Sequence, residues 1–128
     1  MQVLIDTSVF IWLIAGETRR LTIKAKRIVT NADADLFVSV ASIWEIALKV
    51  RAGKLKLPLG NNYLNHHLRE LDASLLPIKQ EHIIEVLSLP RIHFDPFDAL
   101  IVAQSSVEQM NLVTSDDQMR KYPVKIVW

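Results

Sequence analysis

The sequence predicts a three-layer α/β/α domain with a mostly parallel central sheet. Two observations carry this: short apolar runs of strand length alternate with helix-like segments, and no internal repeat, low-complexity segment or long linker breaks that order. A third bounds it, because 128 residues, half of them hydrophobic, suffice for one buried core and are too few for two ordinary ones. A single domain over residues 1–128 is therefore expected.

Val3-Leu4-Ile5 reads as a buried first strand, and Asp6-Thr7-Ser8 caps a helix to about Gly16. That helix, Val9 to Ala15, is apolar all round, so it belongs either to the core or to a subunit interface. Leu21 to Val29 is an amphipathic helix with Lys24, Lys26 and Arg27 on its solvated side. Leu36 to Ser39 is a second strand; Ser39 or Ser42 caps a helix from about Ala41 to Ala52, closed by Gly53. Pro58 prevents the following connector from continuing as a helix.

Asn61 to Asp72 is a further amphipathic helix. Its adjacent His66 and His67 project about 100° apart, unlike the i, i+4 pair of a helical metal site, and read as surface or cap residues. Leu75 to Ile78 is a short strand or extended segment, and Gln80 to Leu89 a helix stopped by Pro90. A long helix starts at about Pro96, with Asp95 as N-cap, and runs to Gln109, with Asn111 ending it. Leu112 to Thr114 is a strand, Ser115-Asp116-Asp117 starts a short helix, and Val124 to Trp128 closes as a strand.

The acids follow a rule of this architecture: sites of open parallel sheets lie beyond the carboxyl ends of the strands, near the topological switch point. Asp6 follows the first strand, Glu45 lies about one turn into the helix after the second, Asp98 sits in the first turn of the long helix, and Asp116 follows the fourth strand. Lys49, four residues after Glu45, makes an ordinary surface pair with it. Ala41 and Leu48, however, place Glu45 beside an apolar stripe, as Ile101 and Val102 do for Asp98. Burying unpartnered carboxylates is unfavourable, and no Lys or Arg lies within Val3 to Ile14 or Phe94 to Val113.

An oxygen-only set suits Mg²⁺ or Mn²⁺, ions that polarise a phosphodiester and activate water. With no cysteine in the chain, thiolate sites and disulfides are excluded, in keeping with a reducing, cytoplasmic compartment. No run reaches the roughly 20 apolar residues of a membrane span, and Val9 to Ala15 lacks the basic leader of a secretion signal. The net charge of +1 comes from 15 basic and 14 acidic residues. With four acids neutralised by metal, 15 basic residues face ten acids, a balance that suits a polyanionic substrate. Thr7, Ser8 and Ser115 are candidates to position a water, or simply helix caps. Only three glycines are present, which excludes a P-loop enzyme. A haloacid dehalogenase-type phosphatase needs an acid where Ser8 stands, and a receiver domain needs paired acids at the first strand and a late lysine.

Four stretches together resemble the PIN-domain family, and within it the VapC toxins of bacterial and archaeal toxin–antitoxin pairs. They are Leu4-Ile-Asp-Thr-Ser8, Ser42-Ile-Trp-Glu-Ile-Ala47 with Lys49 and the Gly53 to Pro58 tail, His93-Phe-Asp-Pro-Phe-Asp98, and Val113-Thr-Ser-Asp116. The resemblance covers nearly the whole chain and implies a metal-dependent endoribonuclease that stops translation. Asp6, Glu45, Asp98 and Asp116 stand at the family's acidic positions, as catalytic residues and ligands of Mg²⁺ or Mn²⁺. It also implies an RNA substrate, a homodimer and a VapB-type antitoxin whose C-terminal segment enters a groove near the acids; Trp12 and Trp44 are candidates for its wall. Asp95 is read as a cap, Asp117 as solvent-facing, and His93 as a loop-fixing hydrogen-bond donor or acceptor. Ala99 stands where close relatives often carry Arg, which removes the salt bridge or phosphate contact that Arg supplies. The competing reading is a PIN-like module that binds RNA or protein without cutting.

Overall fold

The computed structural model describes residues 1–93 and 95–128. Strands β1 (Gln2–Ile5), β2 (Asp35–Ser39), β3 (Ala73–Leu76), β4 (Asn111–Val113) and β5 (Ile126–Val127) form one sheet in the order β3-β2-β1-β4-β5. The expected mostly parallel sheet is parallel at every pairing among the described residues. Helices α1 (Thr7–Ile14), α2 (Ile23–Thr30), α3 (Val40–Arg51), α4 (Asn61–Glu70), α5 (Gln80–Glu85) and α6 (Pro96–Glu108) connect them, with 3-10 turns at Thr18–Arg20, Val86–Ser88 and Met119–Lys121.

Residue alternation along the strands divides the interior in two. Val3 and Ile5, Leu36 and Val38, Val113 and Val127 face one core, shared with α1, α2, α3 and α4. Leu4, Phe37, Leu112 and Ile126 face the other, shared chiefly with Ile101 and Val102 of α6. A strand buried on both faces has no polar side, which explains the unbroken apolar run at the start of the chain.

Several boundaries differ from expectation for local reasons. The helix expected from Leu21 starts at Ile23, because Thr22 accepts the Ala25 N–H as its cap; Leu21 stays in the core. Asn111 does not end α6. Gln109, at φ 55°, takes the left-handed capping conformation, and Asn111 opens β4 opposite Val3. The helix expected from Ser115 is only the 3-10 turn at Met119–Lys121, and the last strand shrinks to Ile126–Val127. The last turn of the helix expected to reach Leu89 is likewise 3-10. In the all-apolar helix α1, Val9 and Phe10 are core, and Ile11 to Ile14 pack against that core while remaining half-exposed.

A buried polar clamp ties these layers together near the carboxyl edge of the sheet. Ser39, the cap of α3, accepts the Ala41 N–H and donates to Gln104 Oε1 at 2.5 Å, while Gln104 Nε2 donates to the Pro77 carbonyl at 3.2 Å. Gln104 is wholly buried, so its loss strands both partners away from water. Gln104→Ala is expected to lower unfolding stability in urea by ~2–4 kcal/mol, the sum of cavity and unsatisfied-group effects; an unchanged midpoint would refute the clamp.

Candidate functional site

The strand order reverses between β1 and β4, so the crevice beyond their carboxyl ends is the switch point. Ile5 is level with Val38 and Val113, and the residues that follow these strand ends are Asp6, the start of α3, and Thr114 to Asp116. Parallel register thus delivers β1, β2 and β4 to one edge. α6 brings Asp98 there from the opposite direction.

Asp6 is 3% exposed. Its Oδ1 accepts the Val9 N–H at 2.8 Å, capping α1, and its Oδ2 accepts from the Thr114 hydroxyl. Thr114 in turn accepts the Asp116 N–H at 3.1 Å, so one hydroxyl links two predicted acids across β1 and β4. Asp116 Oδ1 accepts the N–H groups of Gln118 and Met119 at 2.8 and 3.0 Å. Asp95 is the cap of α6, as predicted, its Oδ1 receiving the Phe97 and Asp98 N–H groups, with Pro96 at the first helical position.

Glu45 is buried on α3. The expected surface pair exists, with Lys49 Nζ 3.0 Å from Oε2. The other oxygen, Oε1, is buried without a hydrogen-bond partner among the described residues.

The charges act on one another. Burial pushes the Asp6 carboxyl up to about 6 against the lowering effect of its Thr114 and Val9 hydrogen bonds, with Asp116 and Glu45 adding to the rise. Burial also pushes Asp98 up to about 7, helped by the negative charges of Asp95, Glu45, Asp116 and Asp6. All four predicted acids therefore lie within electrostatic reach of one another.

They are not in closed coordination. Among the described residues, the ligand atoms lying within 4.8 Å of one another belong to Glu81, His82 and Glu108. That group has a cation of its own. Lys79 Nζ lies 4.0 Å from Glu81 and 3.8 Å from Glu108. His82 Nδ1 accepts the Lys79 N–H at 3.0 Å, which leaves the ring proton on Nε2, directed at Glu108 Oε2 at 3.4 Å. A protonated Nε2 is no metal ligand, so this group is a helix-capping network.

Other predictions divide. Asp117 is solvent-facing, 87% exposed and 3.4 Å from Arg120. His93 makes no loop-fixing hydrogen bond. Its ring nitrogens lack hydrogen-bond partners among the described residues, although Nε2 comes within 3.4 Å of Asp98 Oδ2, and the ring packs against Tyr122. Phe94 of the same motif lies outside the described residues. Thr7 is no cap; its hydroxyl donates to Ser42 at 2.9 Å, while Ser8 is exposed. Trp12 packs on Trp128 and Trp44 on Phe97. Thr114 is the participant that sequence reasoning missed, for a threonine at a strand end gives no signal of the acid it will reach.

The sequence matches the PIN domain family over residues 3–125. No curated protein sequence matches it. Among solved structures it is similar to VapBC2 from Rickettsia felis bound to a DNA fragment from its promoter, with TM-score 0.69 and 16% identity over 98% of this chain and 97% of that one. DNA-bound VapBC from Salmonella typhimurium gives TM-score 0.68 and 16% identity over 98% and 96%. A toxin–antitoxin complex from Klebsiella pneumoniae gives 0.66 and 15% over 98% and 96%. At such identities the likeness is one of fold. Sheet order, acid-bearing edge and a family match across nearly the whole sequence agree: the chain belongs to the PIN domain family.

Proposed function

We propose that this PIN domain, spanning residues 1–128, is a metal-dependent endoribonuclease of the VapC type, the toxin of a type II toxin–antitoxin pair. The observation that carries the reading is the acidic crevice at the switch point. Burial and the neighbouring acids Glu45 and Asp116 disfavour the charges of Asp6 and Asp98, and Glu45 Oε1 is buried with no partner among the described residues. Gathering four acids, two of them buried, at one edge is sustained where a cation compensates them.

The donor set is oxygen only, which fits Mg²⁺ or Mn²⁺. Asp6, Glu45, Asp98 and Asp116 would hold the ion. Bound there, the metal supplies Lewis acidity at a phosphodiester and a water acidic enough to attack it. The protein's contribution is orientation. Val9 N–H and Thr114 fix the Asp6 carboxylate, Gln118 and Met119 N–H fix one oxygen of Asp116, and Lys49 holds one oxygen of Glu45, leaving the other for the crevice.

The antitoxin is the partner implied for a VapC-type chain, and the three neighbours being toxin–antitoxin complexes supports it. A basic side chain on its tail, placed among the acids, inhibits by competing with metal. The half-exposed apolar residues Ile11 to Ile14 support a homodimer. Among the described residues no helix is long and apolar enough to cross a membrane. A cytoplasmic location is part of the VapC-type reading.

Purification with and without the product of the neighbouring gene, followed by sequencing of RNA ends formed with Mg²⁺, tests this reading. New 5′ ends are expected from the wild type, none from Asp6→Asn, and suppression by the neighbouring product. Metal binding without cleavage of any cellular RNA would instead identify a binding module.

A further inference from the structure

The three tryptophans are not equivalent. Trp12 and Trp128 pack together, ring centroids 6.2 Å apart, against the larger core. Trp44 is 58% exposed. It directly precedes Glu45 on α3, and its ring meets Phe97, the residue before Asp98, at 5.0 Å and 73°. The indole therefore straddles the two helices that carry two of the acids. Beside it, Glu45, Leu48, Lys49, Lys54, Pro96 and Phe97 contribute to a concavity of about 430 Å³.

An exposed indole loses hydrophobic stabilisation unless something covers it. The contact with Phe97 restrains its rotamer, so little side-chain freedom remains to be lost on binding. Asp95 also lines the concavity, and Lys49 is paired with Glu45 at 3.0 Å, so exposed Lys54 is the cation it offers a ligand among the described residues. A nucleotide has the complementary features in one unit: a flat π-face for the indole, a phosphate for Lys54, and a neighbouring phosphodiester that reaches the acids.

Resting on the ribonuclease reading above, we propose that Trp44 is the stacking platform for an unpaired base of the RNA substrate, adjacent to the scissile phosphate, with Lys54 on the phosphate side. The substrate class is thereby narrowed to single-stranded RNA or loops, because a base must leave its helix to stack on a side chain. Stacking on an aromatic residue tolerates any base. This subsite supplies grip, and sequence preference comes from elsewhere.

The test uses the full chain carrying Asp98→Asn, so that RNA is bound and not cut, and a short single-stranded RNA as the probe. Trp44→Ala is expected to weaken binding by about 5- to 150-fold, the equivalent of ~1–3 kcal/mol per stacked base. Trp44→Phe is expected to retain most of the affinity, and RNA to quench the indole emission that Trp44→Ala removes. Replacing successive nucleotides by abasic ones locates the stacked base: at one position the abasic loss and the Trp44→Ala loss do not add. Thermal melts of each variant separate binding from folding. Equal affinity of Trp44→Ala and its parent overturns the platform while leaving the ribonuclease reading intact. A Trp44→Ala effect confined to the neighbouring gene product, with RNA binding unaltered, assigns the indole to the protein partner instead. Failure of the Trp44-containing chain to bind any RNA overturns both.

Discussion

An Asp98→Asn chain melts higher than the wild type at about pH 8 without divalent cation, and it no longer cleaves RNA. The two effects share a cause. Burial and the charges of Asp95, Glu45, Asp116 and Asp6 push the Asp98 carboxyl from 3.8 to about 7, so at pH 8 the folded state carries an anion that its surroundings disfavour. Each unit of such a shift corresponds to ~1.4 kcal/mol. Asparagine has nearly the same shape without the charge, and gives up only the ~0.3–1 kcal/mol of an acid in a helix's first turn. Allowing for partial solvent screening of a side chain 16% exposed, the net gain is on the order of 1–3 kcal/mol, or roughly 3–10 °C. Cleavage should fall by a factor on the order of 10³, as several kcal/mol of metal-assisted stabilisation disappear, and Mn²⁺ should no longer raise the melting temperature. An unchanged metal-free melting temperature would overturn the electrostatic account, and surviving cleavage would remove Asp98 from the catalytic set.

The metal-free wild type becomes less stable as pH rises from about 4 to about 7. Asp6 and Asp98 both titrate higher in the folded state, near 6 and 7, than the ordinary 3.8. Between those limits the folded chain keeps protons that the unfolded chain has released, so raising the pH favours unfolding, and above about 7 the full penalty applies. On the proposed reading, divalent cations would bind the ionised acids and compete with these protons. The stabilisation by Mn²⁺ therefore grows steeply across pH 6–7 and is small near pH 5. Melts between about pH 5 and 8, with chelator and with Mn²⁺, check the sign; the difference from an Asp6→Asn, Asp98→Asn chain isolates the two carboxyls. A cation-induced shift of equal size across that range would sink the proposal that these acids hold the ion.

The acids could be found in the sequence because their positions follow from local rules. Asp6 and Asp116 sit just past apolar runs, and Asp98 follows a Pro that fixes where α6 begins; a parallel sheet brings such positions to one edge. Glu45 was legible only as a conflict between a surface pair and an apolar stripe, and each half proved true of a different oxygen. What could not be read depends on partners remote in sequence. Gln104 looks like an interruption of an apolar run until Ser39, 65 residues away, is brought beside it. His82 and Glu108 likewise meet only when α5 packs on α6. The end of α6 at Gln109 was legible but not its terminator: asparagine is the favoured left-handed residue, yet here Gln109 adopts that conformation and its side chain donates to the Ser106 carbonyl.

The hydroxyl of Thr114 reaches an acid 108 residues earlier in the chain. During synthesis, Asp6 must therefore wait until β4 has left the ribosome and slotted beside β1 before the crevice has its fourth wall. Long-range parallel pairing of this kind is slow to form. The crevice is therefore among the last parts of the described fold to assemble, a delay set by topology alone.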